Sequence, residues 1–417
     1  MKTTTWLCAT LLWAAPAFAQ PADKTADLEK KIDALSQEVE RLKLGGGSTA
    51  RSGWADKLSL GGYGEFNAES PSRRNQKADP GLVNKTANLR RFVLMAEYRF
   101  DDRFTLRSEL EMEHAGTGQG DEQRGEFEVE QAYIDWRWED WLVARAGHLI
   151  VPMGLVNLWH EPPVFHGVER PSVEQFIIPS TWHENGAGFW GKAGIVEYQA
   201  YALSGLKAFK DGKAPSVDGF TGAGAIGGGK TEGSRSPIED MAAVARLDLR
   251  PLPGTLIGGS AYAGKADQGL IPASITVSLW ETHADFNWRG AELRGLYAQG
   301  RIGNSAALNA AVAAGGGAEV VGSRFFGGYA QAAFNILSLK SACSQYVAPF
   351  FRYERYDTQQ GVKAPFRGAP ANSRVEYTTG LTYKPIPKIA LKVDQQWKRN
   401  QARTGVNQWD IGLGYMF

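Results

Sequence analysis

The sequence predicts an all-β protein: a transmembrane antiparallel β-barrel of about sixteen strands, preceded by a short N-terminal coiled-coil helix. Three observations carry this. Apolar residues recur at every second position through most of the chain, the period of a strand with one apolar face. No window after the first segment holds 18 apolar residues, so no helix is apolar enough to span a bilayer. Aromatic residues make up 11% of the chain and glycines number 49. That suits strands whose lipid face takes only every second residue, joined by glycine-rich loops.

The first segment, MKTTTWLCATLLWAAPAFAQ, has Lys2, an apolar run from Trp6 to Ala15, and Ala17-Phe18-Ala19 before Gln20. This is the pattern of a secretory signal peptide over residues 1–19 with an A-x-A cleavage site. The run is too short to be a membrane anchor. Leu7 precedes Cys8 where a lipoprotein cysteine needs a small residue, so lipidation is not expected. Cleavage removes Lys2 and no acid, leaving 45 basic residues against 45 acidic ones. A neutral chain argues against nucleic acid or any strongly charged partner. Only Cys343 remains, so an exported protein would hold no internal disulfide.

Next comes the helix. Over 25–44, Leu28, Ile32, Leu35, Val39 and Leu42 follow alternating spacings of four and three, a heptad seam with charged flanks. Gly45-Gly46-Gly47 ends it and opens a linker, 45–57. Two heptads are too few to hold subunits together, but they could register subunits held elsewhere. A solvated helical linker is the plainer alternative.

The barrel occupies 58–417. In NLRRFVLMAEYRF, Phe92, Leu94, Ala96, Tyr98 and Phe100 share one face, while Arg91, Glu97 and Arg99 share the other. After FDDR, Phe104, Leu106, Leu110 and Met112 oppose Arg107, Glu109, Glu111 and Glu113. A charged row on every second residue cannot enter a dry core without partners. It can line a water-filled lumen with the apolar row in lipid. The same reading places strands near 58–66, 88–100, 103–114, 126–138, 141–149, 185–192, 195–205, 238–250, 255–265, 275–289, 291–301, 322–338, 345–356, 372–384, 388–398 and 407–417. Short connections such as FDDR, WEDW and KPIPK alternate with long ones at 67–87, 150–184, 206–237 and 302–321. Short periplasmic turns and long outer loops are the outer-membrane arrangement. Trp136, Trp138, Trp141, Phe286 and Trp288 beside the short turns form a candidate interfacial girdle.

The sequence finishes on NQWDIGLGYMF, with Trp409, Ile411, Leu413, Tyr415 and Phe417 on one face. A barrel has no free edge, so its last strand must pair with its first. Phe417, with Tyr415 two places before it, resembles the terminal signal by which outer-membrane barrels are recognised for insertion. The barrel assembly machinery is the partner this implies.

The short coiled coil, LGGYGEF as first strand, and LVARAGHLIVPMGLVN leading into a long loop resemble the phosphate-selective porin O/P family over roughly residues 25–417. The resemblance implies a homotrimeric pore in outer-membrane lipid with an inward-folded loop. Phosphate selectivity in that family rests on basic residues stacked down the lumen. Here the inward positions alternate in sign, as in Arg91 and Glu97, Arg107 and Glu109, Asp240 and Arg246, Arg352 and Glu354, Arg374 and Glu376, Lys392 and Asp394. A mixed lumen predicts weak selectivity. Arg91, Glu97, Arg99, Arg107, Glu109, Glu111, Arg246, Arg352, Arg374 and Lys392 are the expected pore lining.

The loop from Val151 to Glu184 is too long for an idle connection. Leu155, Val156, Leu158, Trp159, Val164, Phe165, Phe176, Ile177, Ile178 and Trp182 need burial, and five prolines stiffen the path. Such a loop is well placed to fold into the lumen, where His160, Glu161, His166, Glu169 and Arg170 would narrow the pore. The two histidines suggest pH sensitivity near about 6.5. The alternative is a lid over the outer mouth or a trimer contact.

Other motifs carry less. GAIGGGKT (224–231) matches the P-loop pattern but lacks a strand before it and a helix after it. His148, His160, His166 and His183 lie among carboxylates without a short metal-binding spacing. No nucleophile elbow is present, so no enzyme, cofactor or metal is expected. The function expected is passive diffusion of small hydrophilic solutes. The alternatives are a specific channel for an anion such as phosphate or for a metal chelate, and a tether whose coiled coil binds a periplasmic partner.

Overall fold

The computed structural model describes residues 53–81, 84–115, 125–209, 219–340 and 343–417. The expected signal peptide, the coiled coil and most of the linker lie outside the described residues. From residue 55 onward the chain forms sixteen antiparallel strands, each joined to its neighbours in sequence. They are β1 (Leu58–Pro71), β2 (Thr86–Arg99), β3 (Phe104–Glu113), β4 (Phe127–Glu139), β5 (Leu142–Ile150), β6 (His183–Ala193), β7 (Val196–Ser204) and β8 (Met241–Leu249). The second half is β9 (Thr255–Lys265), β10 (Thr276–Trp288), β11 (Ala291–Ile302), β12 (Arg324–Phe334), β13 (Tyr346–Gly361), β14 (Ser373–Ile386), β15 (Ile389–Asn400) and β16 (Gln408–Met416). Each expected strand is present. β1 and β13 run about five residues further than the hydrophobic pattern reaches, because pairing continues past the apolar belt into polar residues such as Asn67 and Glu69.

β16 pairs with β1 and closes the barrel, with Phe66 opposite Leu413 and Tyr63 opposite Met416. Phe417 continues the ladder: its N–H donates to the Gly62 carbonyl at 2.9 Å and its own carbonyl accepts from Gly62 N–H at 3.2 Å. Its ring stacks on Phe92 across the seam. Gly62 has to be glycine here, because a Cβ would lie 2.2 Å from the Val93 carbonyl oxygen and 2.7 Å from the Phe417 ring. Deleting Phe417 is expected to lower the yield of SDS-resistant, heat-modifiable barrel in membranes. Normal yield would mean the seam closes without it.

Outward positions carry the apolar row: Leu60, Leu94, Phe127, Ile134, Phe189, Leu247, Ile257, Leu293, Phe351, Leu391 and Ile411 are exposed on the outer wall. Trp136 stacks on Phe104 and meets Trp138 edge-on beside the short turns. This is the surface a lipid bilayer covers. Leu94 is 47% exposed, and Leu94→Arg is expected to cost roughly 2–4 kcal/mol at the membrane midplane. The alternation alone suggests that neighbouring Val93 faces water and tolerates a charge. Instead Val93 is fully buried, between Tyr63 on β1 and Glu111 on β3. Arginine is therefore expected to be excluded from both positions. Membrane yield of the two variants checks this, and normal yield of Val93→Arg would contradict it.

The reason lies inside. The expected polar, water-lined interior is only half present. Leu203, Tyr262, Val277, Leu279, Leu296, Phe325, Tyr329 and Tyr356 point inward from the strands and form one core with Leu149, Val151, Met153, Leu155, Val173, Ile177, Ile178 and Trp182. Strands with apolar residues on both faces read as ordinary half-apolar strands wherever small residues interrupt them, so the filling was hidden. The expected loop 302–321 also holds a helix, Ser305–Ala314, whose alanine-rich sequence favours it and whose Leu308 and Val312 join the core one turn apart.

Two irregularities position the charges. Between β1 and β2 the register passes from Glu65↔Arg91 to Phe66↔Leu89, so Arg90 is an extra residue. Between β3 and β4 it passes from Glu109↔Gln131 to Leu110↔Val129, so Glu130 is extra. Each is a β-bulge, which re-aims a side chain. Arg90 reaches the 151–182 segment and Glu130 is fully buried beside inward Glu109.

Candidate functional site

The segment between β5 and β6, residues 151–182, bonds to side chains of the inner wall. It begins with Val151 N–H on the Trp182 carbonyl, which ties its two ends together. Asn157 secures the same base, its amide donating to the Val151 carbonyl at 2.8 Å and its oxygen accepting from Trp182 N–H at 2.7 Å. From there the segment reaches strands around the barrel. Arg246 (β8) donates to the Gly154 carbonyl, Lys392 (β15) to the Gly167 carbonyl, and Arg352 (β13) to the carbonyls of His166 and Glu169. In return Val168 N–H donates to Asp394, Val173 N–H to Glu354 and Ser172 hydroxyl to Glu376. Pro162 and Val168 seat against Gly414 and Gly412 of β16, where a Cβ would come within 2.3 and 3.1 Å respectively. The proline-rich loop satisfies only some of its own backbone groups, chiefly in the turn after Ser172, so the wall supplies partners for others.

Two cavities flank this segment. Towards the long loops lies one of about 440 Å³, lined by Arg170, Arg352, Arg374, Lys398 and Arg399 and by Glu69, Glu169 and Glu376. Towards the short turns lies one of about 460 Å³, lined by Arg107 and by Glu97, Glu109 and Glu161. The first holds five cationic groups against three carboxylates. The second holds one against three.

Of the residues expected at a constriction, Glu169 and Arg170 line the outer cavity and Glu161 the inner one. Glu169 accepts a charged hydrogen bond from Arg90, and Arg170 donates to the hydroxyls of Ser180 and Thr181 at 2.7 Å each. His160 and His166 are buried and line neither of these two cavities. His166 bridges Thr382 and Glu292 at 3.0 Å each and stacks on Phe350. Burial lowers its pKa, outweighing Glu292. For His160 burial also works to lower the pKa, but the Glu109 and Glu130 carboxylates overcome it and raise it to about 10. The shifts carry both histidines away from 6.5, in opposite directions.

Of the expected pore-lining residues, Arg91, Glu109, Glu111, Arg246, Arg352 and Lys392 are buried. Arg91, Glu111, Arg246 and Lys392 sit within the ion pairs and loop contacts of the packed interior, while Glu109 and Arg352 are tied into it and also border the inner and outer cavities respectively. Arg91, for example, lies 3.4 Å from Glu65 and 3.3 Å from Glu111. Arg374 lines the outer cavity. Arg99 and Arg107 are exposed at the short-turn end, and Arg107 bonds Glu97 at 2.8 Å.

Sequence reasoning missed Glu65, Arg90, Glu130 and Glu174. Arg90 and Glu130 sit on bulges, where counting by twos puts them on the wrong face; the doubled polar pairs Arg90-Arg91 and Glu130-Gln131 were the available signal. The glycine-rich segment 224–231 lacks the strand and helix of a nucleotide site. It holds one short turn, Gly227–Gly229, and Lys230 donates to the Ser180 carbonyl.

No family model matches the chain. A protein of Aquifex aeolicus, described only as uncharacterised, is 32% identical over 343 residues, covering 81% of this chain and 74% of that one. Among solved structures, Salmonella typhi OmpF in complex with daunomycin aligns with a TM-score of 0.57 at 11% identity, over 86% of this chain and 97% of that one. The anion-selective porin of Comamonas acidovorans aligns with a TM-score of 0.52 at 13% identity, over 86% and 99%. At these identities the likeness is one of fold: the closed sixteen-stranded barrel of bacterial outer-membrane porins.

Proposed function

This chain belongs to one family with the Aquifex aeolicus protein, and from its porin fold we propose that it is an outer-membrane channel for passive diffusion of small hydrophilic solutes. The segment 150–184 is its constriction, with Glu161, Glu169 and Arg170 at the narrow part. The observation that carries this is the pair of cavities, one on each side of a segment that bonds to strands around the barrel. The outer apolar wall suits the lipid of a Gram-negative outer membrane. Tyr415 and Phe417 serve as the signal read by the barrel assembly machinery. Assembly as a homotrimer follows the resemblance to the phosphate-selective porin family.

Charge decides selectivity. An outer cavity with more cations and an inner one with more carboxylates act in series, and their preferences oppose each other. Weak overall selectivity is expected, weakening further once the Debye length falls to about 8 Å at 0.15 M salt. The cationic excess of the outer cavity favours a second reading, a channel for an anion such as phosphate. Reversal potentials across a planar bilayer separate the two. A strong preference for phosphate over chloride would replace the first reading with the second. A channel with negligible conductance would point instead to a tether.

A further inference from the structure

We infer that Glu109, Glu130 and His160 form a site for a divalent transition ion of the zinc class, which pins the lumen segment to the barrel wall. The three side chains come from β3, from the bulge of β4 and from the segment itself. Each is at least 97% buried. Their ligand atoms all lie within 4.8 Å of one another.

Their hydrogen bonding is incomplete where they meet. Both carboxylate oxygens of Glu130, the Oε1 of Glu109 and the Nε2 of His160 have no hydrogen-bond partner. Buried polar groups seldom stay unpaired, and a buried carboxylate needs a cation or donors. The outward-turned atoms are already committed. His160 Nδ1 lies 3.1 Å from the Asn157 carbonyl, and Glu109 Oε2 accepts from Gln131. A ring N–H bonded to a backbone carbonyl leaves Nε2 as the ligating nitrogen, the arrangement common around metal-bound histidine.

Distances favour a metal over a direct ion pair. His160 Nε2 is 3.4 Å from Glu109 Oε1 and 3.7 Å from Glu130 Oε2. A charge-assisted hydrogen bond would draw them to about 2.7–2.9 Å. Ligands bound to zinc at about 2.0–2.2 Å in a tetrahedron stand roughly 3.3–3.6 Å apart, close to the two His160 distances, and the two carboxylates lie within 4.8 Å of each other. Charge allows it. With His160 neutral, as a ligand must be, Glu65, Glu109, Glu111 and Glu130 are four buried carboxylates against two buried guanidinium groups, Arg91 and Arg170. Two oxygens and one imidazole suit zinc better than magnesium or calcium, which prefer oxygen alone. Glu109 and Gln131 also line the inner cavity, which gives an ion a route in.

The test is zinc binding by the purified full-length barrel in detergent, read by equilibrium dialysis and elemental analysis. One chelator-removable ion per chain is expected at saturation. Glu130→Gln and His160→Gln should each weaken zinc by more than the roughly 10–100-fold that loss of an outer-shell partner costs. Heat-modifiable migration shows whether the variants fold. Should they not, cobalt(II) added to the wild-type barrel decides the matter: intense visible bands of a tetrahedral site are expected, and their absence overturns the proposal. Zinc bound equally by wild type and folded variants overturns it as well. Zinc content is read without reference to conductance, so neither result bears on whether the barrel is a diffusion channel.

Discussion

Removing residues 157–178 is expected to raise single-channel conductance several-fold and to enlarge the solute that passes, while the barrel itself survives. The ladder of sixteen strands closes without this segment, because every strand bonds only to its neighbours along the wall. What is lost is cover. Arg352, Lys392, Glu354, Glu376 and Asp394 each give up a partner in the segment. These charged groups exchange it for water at little cost. The apolar part costs more. Phe325, Tyr329 and Tyr356 lose Val173, Ile177 and Ile178 from the shared core. Apolar surface returned to water costs about 25 cal/mol per Å². The deletion variant should therefore conduct more and melt earlier. Planar-bilayer conductance and thermal loss of the heat-modifiable form measure the two effects. Unchanged conductance in a folded deletion variant would put the segment outside the conduction path and leave it as a lid or contact surface.

The barrel was legible in the sequence because its causes are local. A strand that faces lipid on one side must show period two, and Leu94, Ile134, Leu247, Leu293 and Ile411 obey it. The closing role of the last strand follows from a different rule, that a barrel leaves no edge unpaired. The contents of the barrel were less legible. Arg352 and Lys392 looked like pore lining because their parity is inward. Parity says which way a side chain points, but not what meets it there. Their partners are carbonyls of His166 and Gly167, some 186 and 225 positions away in sequence. Nothing local announces a pairing of that kind. Glu130 failed for a different reason. The bulge that buries it shifts the count by one, and every residue beyond it in β4 reverses face. His160 was found by its neighbourhood, but its chemistry depends on Glu109 and Glu130, which reach it from two separate strands.

The sharpest single-residue effect is expected at Glu174, which the sequence did not single out. It is 2% exposed and carries three hydrogen bonds. One carboxylate oxygen accepts from the backbone N–H groups of Leu155 and Val156, both at 2.7 Å. The other accepts from the Tyr329 hydroxyl of β12, also at 2.7 Å. Glu174 thus ties the descending limb of the segment to its helical turn, Val173–Phe176, and both to the wall. The chain makes room for it at Gly154, where φ is +76° and an added Cβ would lie 2.5 Å from the Glu174 oxygen. Glu174→Ala leaves two N–H groups and one hydroxyl without partners in a dry core. At about 1–3 kcal/mol each, that is enough to free the segment without opening the barrel. Glu174→Gln should be mild. Its carbonyl can keep both backbone donors, and its amide can donate to the Tyr329 oxygen. The expected result is fast proteolytic nicking between residues 151 and 182 and noisy, enlarged conductance in the alanine variant, with the glutamine variant close to wild type. If the alanine variant is nicked no faster than wild type, the segment is held chiefly by Arg246, Arg352 and Lys392, and Glu174 is one bond set among many.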